Sequence, residues 1–224
     1  MYSLYKLIKE YVKNKKLEVI MHFPHSSLDL PESIYEDSYL DKDELNKLTL
    51  KMGDILLLEL FKYWDIEKVI ARYSRIYVGV EKYWNPNEEV MSKYGMGAIY
   101  TKDLYGRKLH KCSDDFIKEA KNYYDKYHNN LKEKRKDRDV LILDIHSFND
   151  EMANVFKNGP YPDICIGYND NDKDDELISL IHKWCSDTNI SYMDNYPYSG
   201  SMSIDNKDNK IISIMLEINK KYYL

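Results

Sequence analysis

Two of the chain's six histidines, His25 and His146, stand where a strand-like stretch gives way to polar residues. Imidazoles at strand ends suit metal binding, because a strand fixes a side chain's direction while the following loop leaves room for a ligand. Taken singly, each reads first as an unrelated histidine at a loop edge. A third candidate is Asp54, which on a helix would neighbour Leu50, Leu57 and Leu58 and so lay its charge along an apolar flank. A buried carboxylate calls for a partner, here either a metal ion or a cap or salt bridge beside Gly53. Two imidazoles and one carboxylate leave a zinc ion with a fourth position open to water, the catalytic rather than the structural arrangement. Such an ion lowers the pKa of its water toward neutrality. Glu217, inside Ile-Ser-Ile-Met-Leu-Glu-Ile, is then the candidate general base, since a glutamate in so apolar a run is costly unless it meets a cation or performs chemistry. His22 reads as a hydrogen-bonded core histidine in mid-strand. His110, His128 and His182 receive no role.

The elements that must hold these residues are readable from periodicity. A short amphipathic helix near residues 2 to 14 precedes a strand over Leu17–Phe23 that Pro24 stops. Helical spacing runs from Asp43 to Trp64, with Gly53 a weak point in its middle. A strand, whole or broken in two, follows from about Val69 to Val80, and Glu81 to Leu109 reads as a long loop excursion with at most short strands, carrying Gly95, Gly97 and Gly106 and of a length that tends to be functional. Ser113 to Lys136 predicts a solvated helix. Val140–His146 is nearly continuous apolar sequence, the pattern of a central strand covered on both faces. Further strands are expected at Asp163–Gly167, Ile190–Met193 and Ile211–Ile218, with a helix over Asp175–Asp187 between the first two. Alternating strands and helices predict one α/β domain over residues 1–224, layered as α/β/α around a mixed, largely parallel sheet. In such sheets ligands bind beyond the carboxyl ends of the strands, where His25, the pair Asp144 and His146, and Glu217 all fall. Strand alternation puts Asp144 and His146 on one face.

Composition narrows the function classes. Lys and Arg total 33 against 38 Asp and Glu, a formal charge of −5 with both signs scattered, which offers no electrostatic footprint for nucleic acid. Three cysteines without a C-x-x-C pair fit reduced intracellular thiols rather than a disulfide framework. The charged N-terminus is unlike a signal peptide, and the apolar runs are too short for a bilayer span, so a cytoplasmic protein is expected. The sequence carries no reading of oligomeric state.

Seven segments, in order, resemble the N-formylglutamate amidohydrolase family, whose fold and zinc chemistry are similar to those of the zinc carboxypeptidases and aspartoacylases. They are Pro24-His25-Ser26, Met52-Gly53-Asp54, Ser74-Arg75, Gly95 to Thr101, Asp144 to Phe148, Pro162 to Gly167 and Leu216 to Tyr223. The resemblance implies a zinc carboxypeptidase-like fold, with His25, Asp54 and His146 as zinc ligands and Glu217 in the place of the general base. It implies Arg75 as a catalytic or substrate-binding guanidinium, able to stabilise an oxyanion or grip a carboxylate bidentately. Lys82 and Tyr100 would join it in binding a small-molecule substrate that carries a carboxylate, and Asp144 and Ser147 would support the ligands from behind. The implied reaction is hydrolysis of an N-acyl, foremost an N-formyl, amide of a small acidic amino acid. Two alternatives stand beside it: a carboxypeptidase-like or peptidoglycan-fragment hydrolase on the same zinc site, and a non-catalytic binding module of the same fold. The chain departs from the family at Gly79-Val80-Glu81-Lys82, closer to the Val-Glu-Arg-Phe of a sister branch, with Lys82 where that branch has Arg. A second departure is Leu58, where the family carries an acidic residue.

Overall fold

A computed structural model describes residues 1–155, 157–202 and 210–224. In chain order the elements are α1 (Tyr2–Lys15), β1 (Glu18–Phe23), α2 (Ser33–Asp37), α3 (Lys42–Met52), α4 (Leu57–Leu60), β2 (Glu67–Ile70), α5 (Asp114–Arg135), β3 (Val140–Phe148), α6 (Asp150–Asn154), β4 (Ile164–Gly167), α7 (Asp175–Asp187), β5 (Tyr192–Asp194) and β6 (Ile211–Asn219). They fall into two compact units: Met1–Phe23, Leu56–Val69 and Arg135–Leu224 in the first, Pro24–Ile55 and Ile70–Lys134 in the second.

The first unit is built on a six-stranded sheet of order β2-β1-β3-β6-β4-β5. β1, β3 and β6 run parallel, β4 lies antiparallel to β6, and β5 is parallel to β4. The fold is therefore α/β with a mixed, mostly parallel sheet. Every residue of β3 is buried, as the unbroken apolar run requires, and so is all of β6 after Ile211. Helix α7 buries Leu177, Ile178, Ile181, Trp184 and Cys185 along one stripe, and Asp174 caps its start by accepting from Leu177 N. Each fully buried Leu or Ile contributes roughly 1.5–3 kcal/mol, enough to make these strands a rigid base for side chains at their ends. Trp184 Nε1 donates to Ser3 Oγ at 2.9 Å, joining α7 to α1.

The second unit holds α2, α3 and most of α5 around an aromatic centre in which Tyr77 meets Tyr73, Phe116 and Tyr123. α3 opens on a capping box between Asp41 and Glu44. Two expectations need correcting. The single helix over Asp43–Trp64 is two helices: α3 ends at Gly53, and Leu56 at φ 62° turns the chain before α4. The strand expected over Val69–Val80 stops at Ile70. Beyond it the backbone turns, with Ser74 N donating to Asp29 O and Tyr77 N to Ser74 O, while Ile76, Tyr77, Val78 and Val80 stay buried. An apolar run specifies burial, but only a neighbouring strand can make it a strand. Between Glu81 and Leu109 the loop reading holds, with a short 3₁₀ turn at Val90–Tyr94 and isolated bridges.

Candidate active site

In the first unit, β3 carries Asp144 and His146 on one face. Asp144 Oδ1 accepts from His22 Nδ1 at 2.7 Å and meets His146 Nε2 at 2.8 Å, while its Oδ2 accepts from Met202 N at 2.9 Å. Burial alone would raise the Asp144 carboxyl, but the charges of His146 and His22 and their hydrogen bonds outweigh it and hold the group below the usual carboxylate range. His22, fully buried and paired with Asp144 across β1 and β3, is the hydrogen-bonded core histidine expected of it. Parallel register sets His146 opposite Glu217 on β6, and Cys165 on β4 opposite the other side of Glu217. Neighbouring strands lie about 4.8 Å apart, so Glu217, itself buried, is next to His146 on the same face. Burial, and then the Glu217 charge, push the Cys165 thiol up to about 12, which makes it an inert wall. Ser147 is buried too, but strand alternation turns it to the face opposite His146. Beyond Glu217, Asn219 closes β6 by donating from Nδ2 to Asp150 Oδ1 at 2.8 Å.

In the second unit, His25 follows the strand-stopping Pro24, and its Nδ1 lies 3.5 Å from Asp54 Oδ2. Asp54 does not lie on a helix. It sits just past the end of α3, where Asp54 N donates to His25 O at 2.9 Å, so backbone pairing holds the two residues together. The carboxylate is nonetheless buried, although Leu50, counted on its apolar flank, is half exposed. A Cβ at Gly53 would come within 2.9 Å of Thr49 O, which makes the small residue a requirement of this turn. His25 Nε2 lies 2.7 Å from Glu81 Oε2. Burial and the Arg75 charge lower the His25 pKa, against the raising effect of Glu81 and Asp54, and so favour the neutral ring that a metal needs.

Glu81 also draws in the cations. Its Oε1 lies 3.4 Å from Arg75 Nη2 and 3.3 Å from Lys82 Nζ. Burial opposes its charge, but His25, Lys82 and Arg75 outweigh burial and keep the carboxyl well below its ordinary range. Arg75 Nε donates to Tyr100 Oη at 3.0 Å. Burial works against the Arg75 charge as well, yet Tyr100, Glu81 and Asp54 more than restore it. Glu81 carries no role in the sequence motifs; a glutamate directly after the buried run Ile76–Val80 is the available signal.

One ligand atom from each of His25, Asp54 and His146, all three buried, lies within 4.8 Å of the others, so this group could bind a metal ion. Two imidazoles and a carboxylate match the donor set of a catalytic divalent site. The sequence model of the N-formylglutamate amidohydrolase family matches residues 17–224. The chain belongs to that family. It is accordingly a hydrolase acting on an amide of a small-molecule substrate. The crystal structure of N-formylglutamate amidohydrolase from Ralstonia eutropha JMP134 superposes with a TM-score of 0.75 at 18% identity, covering 93% of this chain and 84% of that one. At that identity the likeness speaks to the fold. None of the curated proteins matches this sequence. Among the described residues no helix is long and apolar enough to cross a membrane.

Proposed function

We propose that residues 1–224 act as one cytoplasmic, zinc-dependent N-formylglutamate amidohydrolase-like domain, cleaving the N-acyl, foremost N-formyl, amide of a small acidic amino acid such as glutamate. The observation that carries this reading is the buried, convergent donor set of His25, Asp54 and His146 in a chain of this family. A zinc ion held by those three residues would supply a Lewis acid and a water of lowered pKa. Glu217, next to His146 in the sheet register, accepts the proton of the attacking water on its carboxylate and passes it to the departing amine. Arg75 stabilises the oxyanion or receives the substrate carboxylate, with Lys82 and Tyr100 beside it. Asp144, 2.8 Å from His146 Nε2, orients that ring and would leave Nδ1 to hold the ion.

Purified protein is expected to contain zinc and to turn over N-formyl-glutamate in preference to C-terminal dipeptides. Glu217→Gln should keep the metal and lose on the order of 10²–10⁴-fold in kcat, the range of a general-base contribution. Metal-free protein with unchanged hydrolysis, or an unaffected Glu217→Gln enzyme, would sink the reading.

A further inference from the structure

Each histidine of the buried donor group has a carboxylate at its Nε2. For His146 it is Asp144 at 2.8 Å, and for His25 it is Glu81 at 2.7 Å, with His25 Nδ1 turned toward Asp54. We propose that Glu81 is a positioning residue that orients His25 for the metal, as Asp144 orients His146, and that it ties the metal site to the cations Arg75 and Lys82. The proposal rests on the metal-dependent reading above and adds a residue and a coupling to it.

A carboxylate at Nε2 keeps the ring proton on that nitrogen, leaves the lone pair on Nδ1 and raises the ring's basicity as a ligand. Such a device works only if the carboxylate is itself held still, and the backbone around Glu81 is. The Val80 carbonyl accepts from His128 Nε2 at 2.8 Å, and the Lys82 carbonyl accepts from Tyr124 Oη at 2.7 Å. Both donors lie on α5, one turn apart, so a single helix clamps the residues on either side of Glu81. Lys82 N donates to Gly79 O at 3.1 Å and closes the turn. A Cβ at Gly79 would meet Lys82 Cγ at 3.0 Å and Tyr100 Cε2 at 3.4 Å, so the absence of a side chain there leaves room for Lys82 and Tyr100.

The two oxygens of Glu81 divide their work. Oε2 faces the imidazole, while Oε1 faces Arg75 and Lys82. A substrate carboxylate arriving at those cations must share them with Oε1, and any shift of Glu81 in response is felt at His25. The competing assignment is that Glu81 is a metal ligand in its own right.

The test uses the full chain, stripped with a chelator and reloaded with zinc or cobalt(II). Zinc affinity is read by competition with a chromophoric chelator for the wild type, Glu81→Ala, Glu81→Gln and Glu81→Asp, and the visible spectrum of the cobalt form is read for the same set. Glu81→Ala should weaken zinc by about 10–100-fold, the range for lost support behind a ligand histidine. Glu81→Gln should lose less, because its amide oxygen can still face Nε2, and its cobalt spectrum should keep the wild-type coordination number. KM should fall in both variants, since a substrate carboxylate no longer shares the cations with Oε1. Zinc affinity within about twofold of wild type in Glu81→Ala would overturn the proposal. A changed cobalt coordination number in Glu81→Gln would also overturn it, by making Glu81 a ligand. If Glu81→Ala does not fold, Glu81→Gln and Glu81→Asp decide by the same criteria. A wild type that binds neither metal defeats the metal-dependent reading and this proposal together, whereas a metal-binding wild type with equally competent variants defeats only this one.

Discussion

On β3 the direction of His146 follows from the pleat: Asp144 two residues earlier shares its face, and the register with β6 brings Glu217 alongside. His25 has no such frame, since it lies in a loop after Pro24 and owes its direction to the turn at Gly53, the backbone bond from Asp54 N, and Glu81. One histidine is fixed by a ladder that every neighbouring residue reinforces. The other is fixed by a few separate contacts, each of which can be removed alone. Two histidines of one candidate donor group can thus have unequal tolerance to change. On β3, damage to the support is damage to the core, whereas around His25 it is damage to the site.

The most severe break is removal of a ligand. His25→Ala and His146→Ala should both lose stoichiometric zinc, measured by elemental analysis after gel filtration, and hydrolysis with it; retention of metal by either variant would remove that residue from the ligand set. Asp144→Ala comes next. It leaves His22, His146 and Met202 N without their buried acceptor, so it should cost about 3–5 kcal/mol in urea unfolding, as for one half of a buried ion pair. A loss comparable to that of an exposed substitution would deny the strand-borne network its structural weight. Gly53→Ala should cost about 1–3 kcal/mol, because the new Cβ presses on Thr49 O and Leu28 and the strain falls on the turn that pairs Asp54 with His25. Here metal affinity should fall with stability, and a fall in stability alone would uncouple the turn from the site. The mildest is Tyr124→Phe, which removes one hydrogen bond to the Lys82 carbonyl and should cost about 0.5–1.5 kcal/mol. A small rise in KM with kcat little changed would mark it as support for Lys82 and Glu81.

The strand-borne half of the site was legible because its cues are local. Asp144, His146 and Glu217 each close or interrupt an apolar run, and alternation alone puts Asp144 beside His146. Around His25 the helical reading of Asp54 does not hold, although the structure sets Asp54 beside His25. Periodicity puts Asp54 on a helix with Leu50 as an apolar neighbour, whereas α3 stops at Gly53 and Leu50 is half exposed. Helical periodicity continues across a break whenever the following residues are also buried, so it could not mark where α3 ended. The stretch from Val69 to Val80 misled similarly, since burial of Ile76, Tyr77, Val78 and Val80 without a neighbouring strand gives turns.

By itself the amino-acid order determined the α/β alternation, the family motifs and the chemical kinds of residue available, because periodicity and residue type act over a few positions. The tertiary structure alone decided that Glu81 faces His25 with one oxygen and Arg75 and Lys82 with the other. The residues in those contacts stand up to 56 positions apart in the chain, and no local preference encodes such a meeting. It arises only when the packing of the whole unit has fixed where each loop can run.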